Sequence, residues 1–285
     1  MASYRITDPG GLTQPVVVVA FDGWVDAGSA ATNATKELAG DGDVVVDFDG
    51  DSLFDYRSRR PTLEIQDGRP ARLTWPTLTM RSRRLGERDV LILTGAEPDF
   101  QWRRFATDLV EIARQLAVSQ WISLGAIPAA VPHTRPVPIL GTESQAGLLR
   151  GGVLPGPQGL LRVPAACISI VDVAISAAGI PSVGYFAQIP HYVSGAYPGA
   201  SVELLTMLGR HLDIDPPLGL LPAEAVALRK RLDTATVLDE STRHYVERLE
   251  GMADESRLPA GDDLIADIER FLRDQGADMG GGRPN

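Results

Sequence analysis

Asp22, Trp24 and Asp26 crowd into one short stretch, "FDGWVDAGSAAT", residues 21–32. Two carboxylates beside an indole are residue types that a hydrolase or a phosphorylase-like transferase would use. Further along lie Glu97 in "TGAEPDF", His133 and Arg135 in "GAIPAAVPHTRPVP", and His191 and Tyr192 in "QIPHYVSGAYP". Arg57, Arg59 and Arg60 in "YRSRRP" could clamp a phosphate or carboxylate at two points, or pair with an acidic partner surface. No complete catalytic set emerges from these residues. Ser29 lacks the glycines two positions before and after it that a nucleophile elbow needs. No Gly-rich run ends in Gly-Lys-Ser/Thr, and "GGVLPGPQG" (151–159) reads as a turn. The four histidines, at 133, 191, 211 and 244, form no metal-type pair. Neither a metal nor a cofactor is expected.

Each candidate also has a plain structural reading. Asp26 precedes an Ala-rich helical run and suits an N-cap. Trp24 could cover the sheet edge, and the histidines could be hydrogen-bonded within loops whose path the prolines fix.

The elements around these residues argue for a site. "VVVVAF" is apolar enough for a buried strand, and "SAATNATKEL" is helical. "DVVVDFD", "TLTMRSRRL", "DVLILTGAEP", "QWISLGAIP" and "PSVGYFAQIP" continue the strand-like series. Helices are expected near 100–116, 167–178 and 200–212. Continuous apolar runs alternating with helices imply parallel strands covered on both faces, a doubly wound α/β/α sandwich. "TLEIQ" and "ARLTW" alternate around Asp67-Gly68, the signature of an inserted β-hairpin. Ligands of open parallel sheets bind beyond the carboxyl ends of the strands. The four unusual loops would meet there, with Asp22, Trp24, Asp26, His133 and His191 around one concavity.

Net charge is −10, which argues against a general nucleic-acid binder. Residues 51–90 nevertheless hold nine Arg against six Asp/Glu, a basic island in an acidic chain. No apolar run approaches the ~20 residues of a membrane span, and the N-terminal residues show no signal-peptide pattern. Cys167, the single cysteine, sits in apolar "VPAACISIV" and reads as a small buried hydrophobe. A cytoplasmic protein fits these features.

Pro216-Pro217 marks a change of composition. A core domain over 1–215 is expected to give way to a helical region over 221–275 and a tail over 276–285. Leu238, Tyr245, Leu249 and Met252 form one amphipathic stripe, and Leu264, Ile265, Ile268, Phe271 and Leu272 form another. Such stripes need a partner surface, so a homo-oligomer is expected, a trimer in preference to a dimer.

Five pieces of the chain, "GWVDAGSAAT", "FDYRSRRPTLEIQDG", "VPHTRPVPILGT", "LPGPQGLL" and "IPHYVSGAYPGAS", occur in an order that resembles the proteasome assembly chaperone 2 family in its actinobacterial form. They span about 16–213. The resemblance implies a nucleoside-phosphorylase-like or hydrolase-like α/β/α sandwich. It also implies a protein-interaction role, since eukaryotic members guide assembly of the proteasome α-ring. Some archaeal relatives end in a hydrophobic–Tyr–any tripeptide that docks on the proteasome, whereas this sequence ends "RPN". Docking by that route is not expected. Two classes of function stay open: a non-enzymatic, chaperone-like assembly factor whose protein partner, as the resemblance implies, would be proteasome-related, and a small-molecule hydrolase or phosphorylase-like enzyme.

Overall fold

The computed structural model describes residues 4–7, 10–157 and 159–255. Its centre is an eight-stranded sheet in the order β1-β3-β6-β7-β2-β8-β10-β9. The strands are β1 (Tyr4–Ile6), β2 (Val16–Phe21), β3 (Asp43–Phe48), β6 (Leu78–Leu85), β7 (Arg88–Gly95), β8 (Gln120–Ala129), β9 (Ile139–Glu143) and β10 (Ser182–Pro190). Helices α1 (Ala30–Ala39) and α5 (Pro198–Leu212) cover one face, while α3 (Trp102–Gln115) and α4 (Cys167–Ala177) cover the other. The protein is therefore a three-layer α/β/α sandwich.

The central strand shows why. All six residues of β2 are buried, and successive side chains of a strand point to opposite faces. Val16, Val18 and Ala20 join the core beneath α1 and α5. Val17, Val19 and Phe21 join the core beneath α3 and α4. A strand with water on one face would need polar residues at every second position. On the α3 side, Phe105 packs against Phe21 and Phe48, with ring centroids 5.9 and 5.3 Å apart.

The sheet is not parallel throughout. β7, β2, β8 and β10 form a contiguous parallel set, but β6 runs antiparallel to both β3 and β7, β1 is antiparallel to β3, and β9 is antiparallel to β10. The cause is loop length. β6 and β7 close on the pair Leu85–Arg88 across Gly86-Glu87, and a two-residue link can join only antiparallel neighbours.

The hairpin lies where the sequence places it. β4 (Thr62–Gln66) and β5 (Arg69–Thr74) form a separate two-stranded sheet, exposed along its whole length. Asp67 and Gly68 both have positive φ, 51° and 74°, as the tight turn that follows strand twist requires. A single-turn helix, α2 (Gly50–Leu53), precedes the loop that leads into it.

Two compact units divide the chain, one ending at Asp233 and the other beginning at Thr234, within α6 (Leu221–Leu238). α7 (Glu240–Glu255) belongs to the second unit. The stripe expected over Leu238, Tyr245, Leu249 and Met252 is broken. Leu238 and Met252 are 81% and 54% exposed, while Val246 and Leu249 are buried. Asp239 is responsible: its Oδ1 accepts the amides of Ser241 and Thr242 and the hydroxyl of Ser241. This cap ends one helix and starts the next, so Leu238 loses phase with the residues after it. The second stripe, Leu264 to Leu272, and the tail over 276–285 lie outside the described residues.

Candidate functional site

The turn after β2 is built around two carboxylates with different tasks. Asp22 is half-buried, and its Oδ1 accepts from Arg59 Nη1 at 2.7 Å and from the amide of Glu97 at 2.9 Å. Arg59 Nε lies 3.5 Å from Asp99 Oδ1, and Asp99 Oδ2 accepts the amide of Asp55. One guanidinium thus ties together the loops after β2, β3 and β7. Gly23, at φ 110°, allows the close approach, because a Cβ there would lie 2.8 Å from Glu97 Oε2.

Asp26 turns inward. Its Oδ1 accepts the amides of Ala31 and Thr32 at 2.8 and 3.2 Å, and its Oδ2 accepts the Thr32 hydroxyl at 2.5 Å. Burial raises its carboxyl pKa above the usual value, while the bonds from Thr32 and Ala31 pull it back. Ser29 occupies the residue before α1 in a left-handed conformation, φ 49°, so the start of the helix is capped from farther back than a neighbouring side chain could reach. The same turn extends the sheet: the Val25 carbonyl accepts the amide of Ala126, bridging the ends of β2 and β8. Trp24, by contrast, is 68% exposed.

Glu97 repeats the device on the opposite face. Its Oε1 accepts the amide of Cys167, the first residue of α4, at 2.7 Å. Cys167 is buried, and burial, with Glu97 nearby, pushes its thiol pKa far up. It is the inert hydrophobe that the sequence suggests.

On the other side of the rim, His133 is buried, with a polar group near each ring nitrogen. Tyr192 Oη lies 2.7 Å from Nδ1 and also accepts the His133 amide at 2.8 Å. His133 Nε2 lies 3.3 Å from Asp233 Oδ1. Arg229, on α6, donates to the His133 carbonyl and to Asp233. His191 is exposed, and its Nδ1 bonds the Ala129 carbonyl at 2.9 Å.

The candidates share one edge of the sheet but not one concavity. His133 and Arg135 line a hollow of about 490 Å³ with Tyr197, Glu203 and residues of α6. Asp22, Arg59 and Arg60 line another of about 440 Å³ with Lys36 and Trp75. Arg57 is exposed at the foot of the hairpin, its amide bonded to Asp55. Among the described residues, no group of three or more His, Cys, Asp or Glu could hold a metal ion.

A family model described as the PAC2 family matches residues 20–236. The chain belongs to the PAC2 family. Solved structures of the same fold agree. A PAC2 family protein from Streptomyces avermitilis is 36% identical, covering 81% of this chain and 99% of that one, with a TM-score of 0.73. A Mycobacterium tuberculosis proteasome-assembly chaperone homologue is 35% identical, with the same coverage and TM-score. A Corynebacterium glutamicum protein of unknown function is 27% identical over 89% of this chain and 97% of that one, with a TM-score of 0.83. No curated protein matches the chain.

Some of the usual ligand-binding places at this edge are taken by the protein's own groups. Between β2 and β8, where the connections from neighbouring strands diverge, the backbone of Val25 and Asp26 bridges to Ala126. A helix N-terminus attracts anions because its first amides lack partners; here Asp26 bonds amides of α1 and Glu97 bonds the first amide of α4. Sequence reasoning found the PAC2 chain's Asp26 and Glu97 but missed Thr32, Asp99, Arg229 and Asp233. Only the last pair carried a local signal, an Arg and an Asp four residues apart on a helix. A half-buried carboxyl on α4 was missed as well. Asp172 accepts the Ser123 hydroxyl, and burial pushes its pKa up to about 7.

Among the described residues no helix is long and apolar enough to cross a membrane.

Proposed function

We propose that this PAC2 protein is a non-enzymatic, cytoplasmic assembly factor of the proteasome-assembly-chaperone kind, working as a homo-oligomer, a trimer in preference to a dimer. The observation that carries this reading is the filling of two of the helix N-termini at the rim by the protein's own carboxylates, Asp26 at α1 and Glu97 at α4. An enzyme acting on esters or nucleosides would need such positions open for a developing oxyanion or a phosphate. The 35% identity to the Mycobacterium tuberculosis proteasome-assembly chaperone homologue supports a protein as the partner.

The hairpin supports the same reading. A two-stranded sheet alone is marginal in water, yet β4–β5 keeps Leu63, Ile65 and Leu73 exposed at 49–63%. Leu63 pairs directly with Leu73, and Ile65 with Pro70. An apolar hairpin face of this kind suits a protein surface, whether a second copy or a partner.

The test measures binding and turnover side by side. Saturable binding to purified actinobacterial proteasome α-subunits, with no turnover of esters or of nucleosides plus phosphate, is the expected result. Robust turnover abolished by Asp26→Ala or His133→Ala would overturn the proposal and restore the hydrolase or phosphorylase reading.

A further inference from the structure

The 440 Å³ hollow beside the hairpin holds positive charges that are not all spent inside the protein. α1 supplies Lys36, the loop before β4 supplies Arg59 and Arg60, and the β5–β6 connection supplies Trp75. Arg59 is committed to Asp22 and Asp99. Among the described residues, the Lys36 ammonium and the Arg60 guanidinium have neither a hydrogen bond nor an ion pair. Asp22 is the only carboxylate among the residues lining the hollow, and it already faces Arg59 at 2.7 Å. The hollow therefore offers two uncommitted positive charges in a protein whose net charge is −10.

Its neutral groups point the same way. Thr62, Thr74 and Thr77 line the hollow, and their hydroxyls have no partner among the described residues. Hydroxyls beside Lys and Arg suit the several acceptor oxygens of a phosphate. Trp75 is 47% exposed and packs edge-on against Tyr56, with centroids 4.7 Å apart. That contact supports the indole while leaving much of it free for a flat apolar body. The volume lies within the usual range for small-molecule sites, about 300–1,000 Å³.

We propose that this hollow binds a small phosphate monoester carrying a flat ring, the phosphate set between Lys36 and Arg60 and the ring against Trp75. The site binds without turnover, and its existence does not depend on the assembly role. Binding of such a ligand at the foot of the hairpin would place a small-molecule input next to the surface assigned above to protein contact.

Phenyl phosphate is the probe, followed through the indole N–H resonance of Trp75, which Trp75→Phe identifies. The expected result is saturable binding that weakens about tenfold in Lys36→Gln and in Arg60→Gln, a loss typical of one charge-assisted contact. Arg103→Gln, an exposed change on α3, should leave it unaltered. Phenol and inorganic phosphate should each bind more weakly than phenyl phosphate. Lys36 and Arg60 are both exposed, so their variants should fold, and an unchanged melting temperature verifies it. No saturation by about 10 mM, where affinity falls to a few kcal/mol, would overturn the proposal. Equal binding by all three charge variants, or binding of benzoate as tight as that of phenyl phosphate, would overturn it as well.

Discussion

Glu97 and Cys167, 70 residues apart in sequence, are joined by a 2.7 Å bond from the Cys167 amide to Glu97 Oε1. The carboxylate of the loop after β7 thereby closes the start of α4. Removing it leaves a partly buried amide without an acceptor. Glu97→Ala should cost about 1–2 kcal/mol, the range for loss of a helix cap, and Glu97→Gln should cost less because its amide oxygen can still accept. Urea unfolding of the three proteins checks the order; equal stability of Glu97→Ala and the parent would show that the bond contributes nothing.

Tyr192 should matter for folding rather than for catalysis. Its hydroxyl serves both the amide and the ring of buried His133. Tyr192→Phe removes this partner from both groups, at a cost of about 1–3 kcal/mol, the range for weakening the hydrogen bonding of a buried polar group. The measurement is again denaturant unfolding, with the midpoint falling and the slope unchanged.

Asp172 predicts a pH dependence. The folded protein holds its proton more tightly than the unfolded chain, with a pKa of about 7 against an ordinary 3.8. This contribution is full below the unfolded value and is lost as the pH rises through about 7. Asp172→Asn should remove that loss while keeping an acceptor for the Ser123 hydroxyl. The variant should gain on the parent between pH 4 and pH 8 by up to about 4 kcal/mol, the equivalent of three pKa units. Parallel stability curves across that range would refute the assignment.

The hairpin predicts a change of assembly without a change of core. Leu63→Ser combined with Leu73→Ser alters two half-exposed residues outside the main sheet. Exposed substitutions of this kind usually shift stability by no more than about 0.5 kcal/mol. Light scattering should show the intact protein heavier than one chain and the double variant lighter than the intact protein. A monomeric parent, or an oligomer indifferent to the two changes, would remove the hairpin from any self-association.

What the sequence made legible follows the range of the forces involved. β2 and the Asp67-Gly68 hairpin were readable because periodicity and turn chemistry are local. So was the collection of Asp22, Asp26, Glu97, His133 and His191 at one sheet edge, which follows from strand direction. The antiparallel half of the sheet was missed because "TLTMRSRRL" does not announce its neighbours, although the brevity of Gly86-Glu87 did constrain them. The split into two hollows was also hidden. It depends on Arg59 meeting Asp22 and Asp99, and on Arg229 and Asp233 of α6 meeting His133, contacts with no signature in local spacing. Asp239 was the avoidable omission: an Asp followed two and three residues later by Ser-adjacent amides at a helix start is a recognisable stop.

Arg59 stands three residues before the hairpin begins and its guanidinium faces a carboxylate at each end. Mechanically, that makes the hairpin a lever with a pinned fulcrum. A load at its tip is not absorbed by a slack loop but is delivered through Asp22 and Asp99 to the ends of β2 and β7. A load on β4–β5 is therefore passed to the middle of the main sheet, where β2 is buried along its whole length.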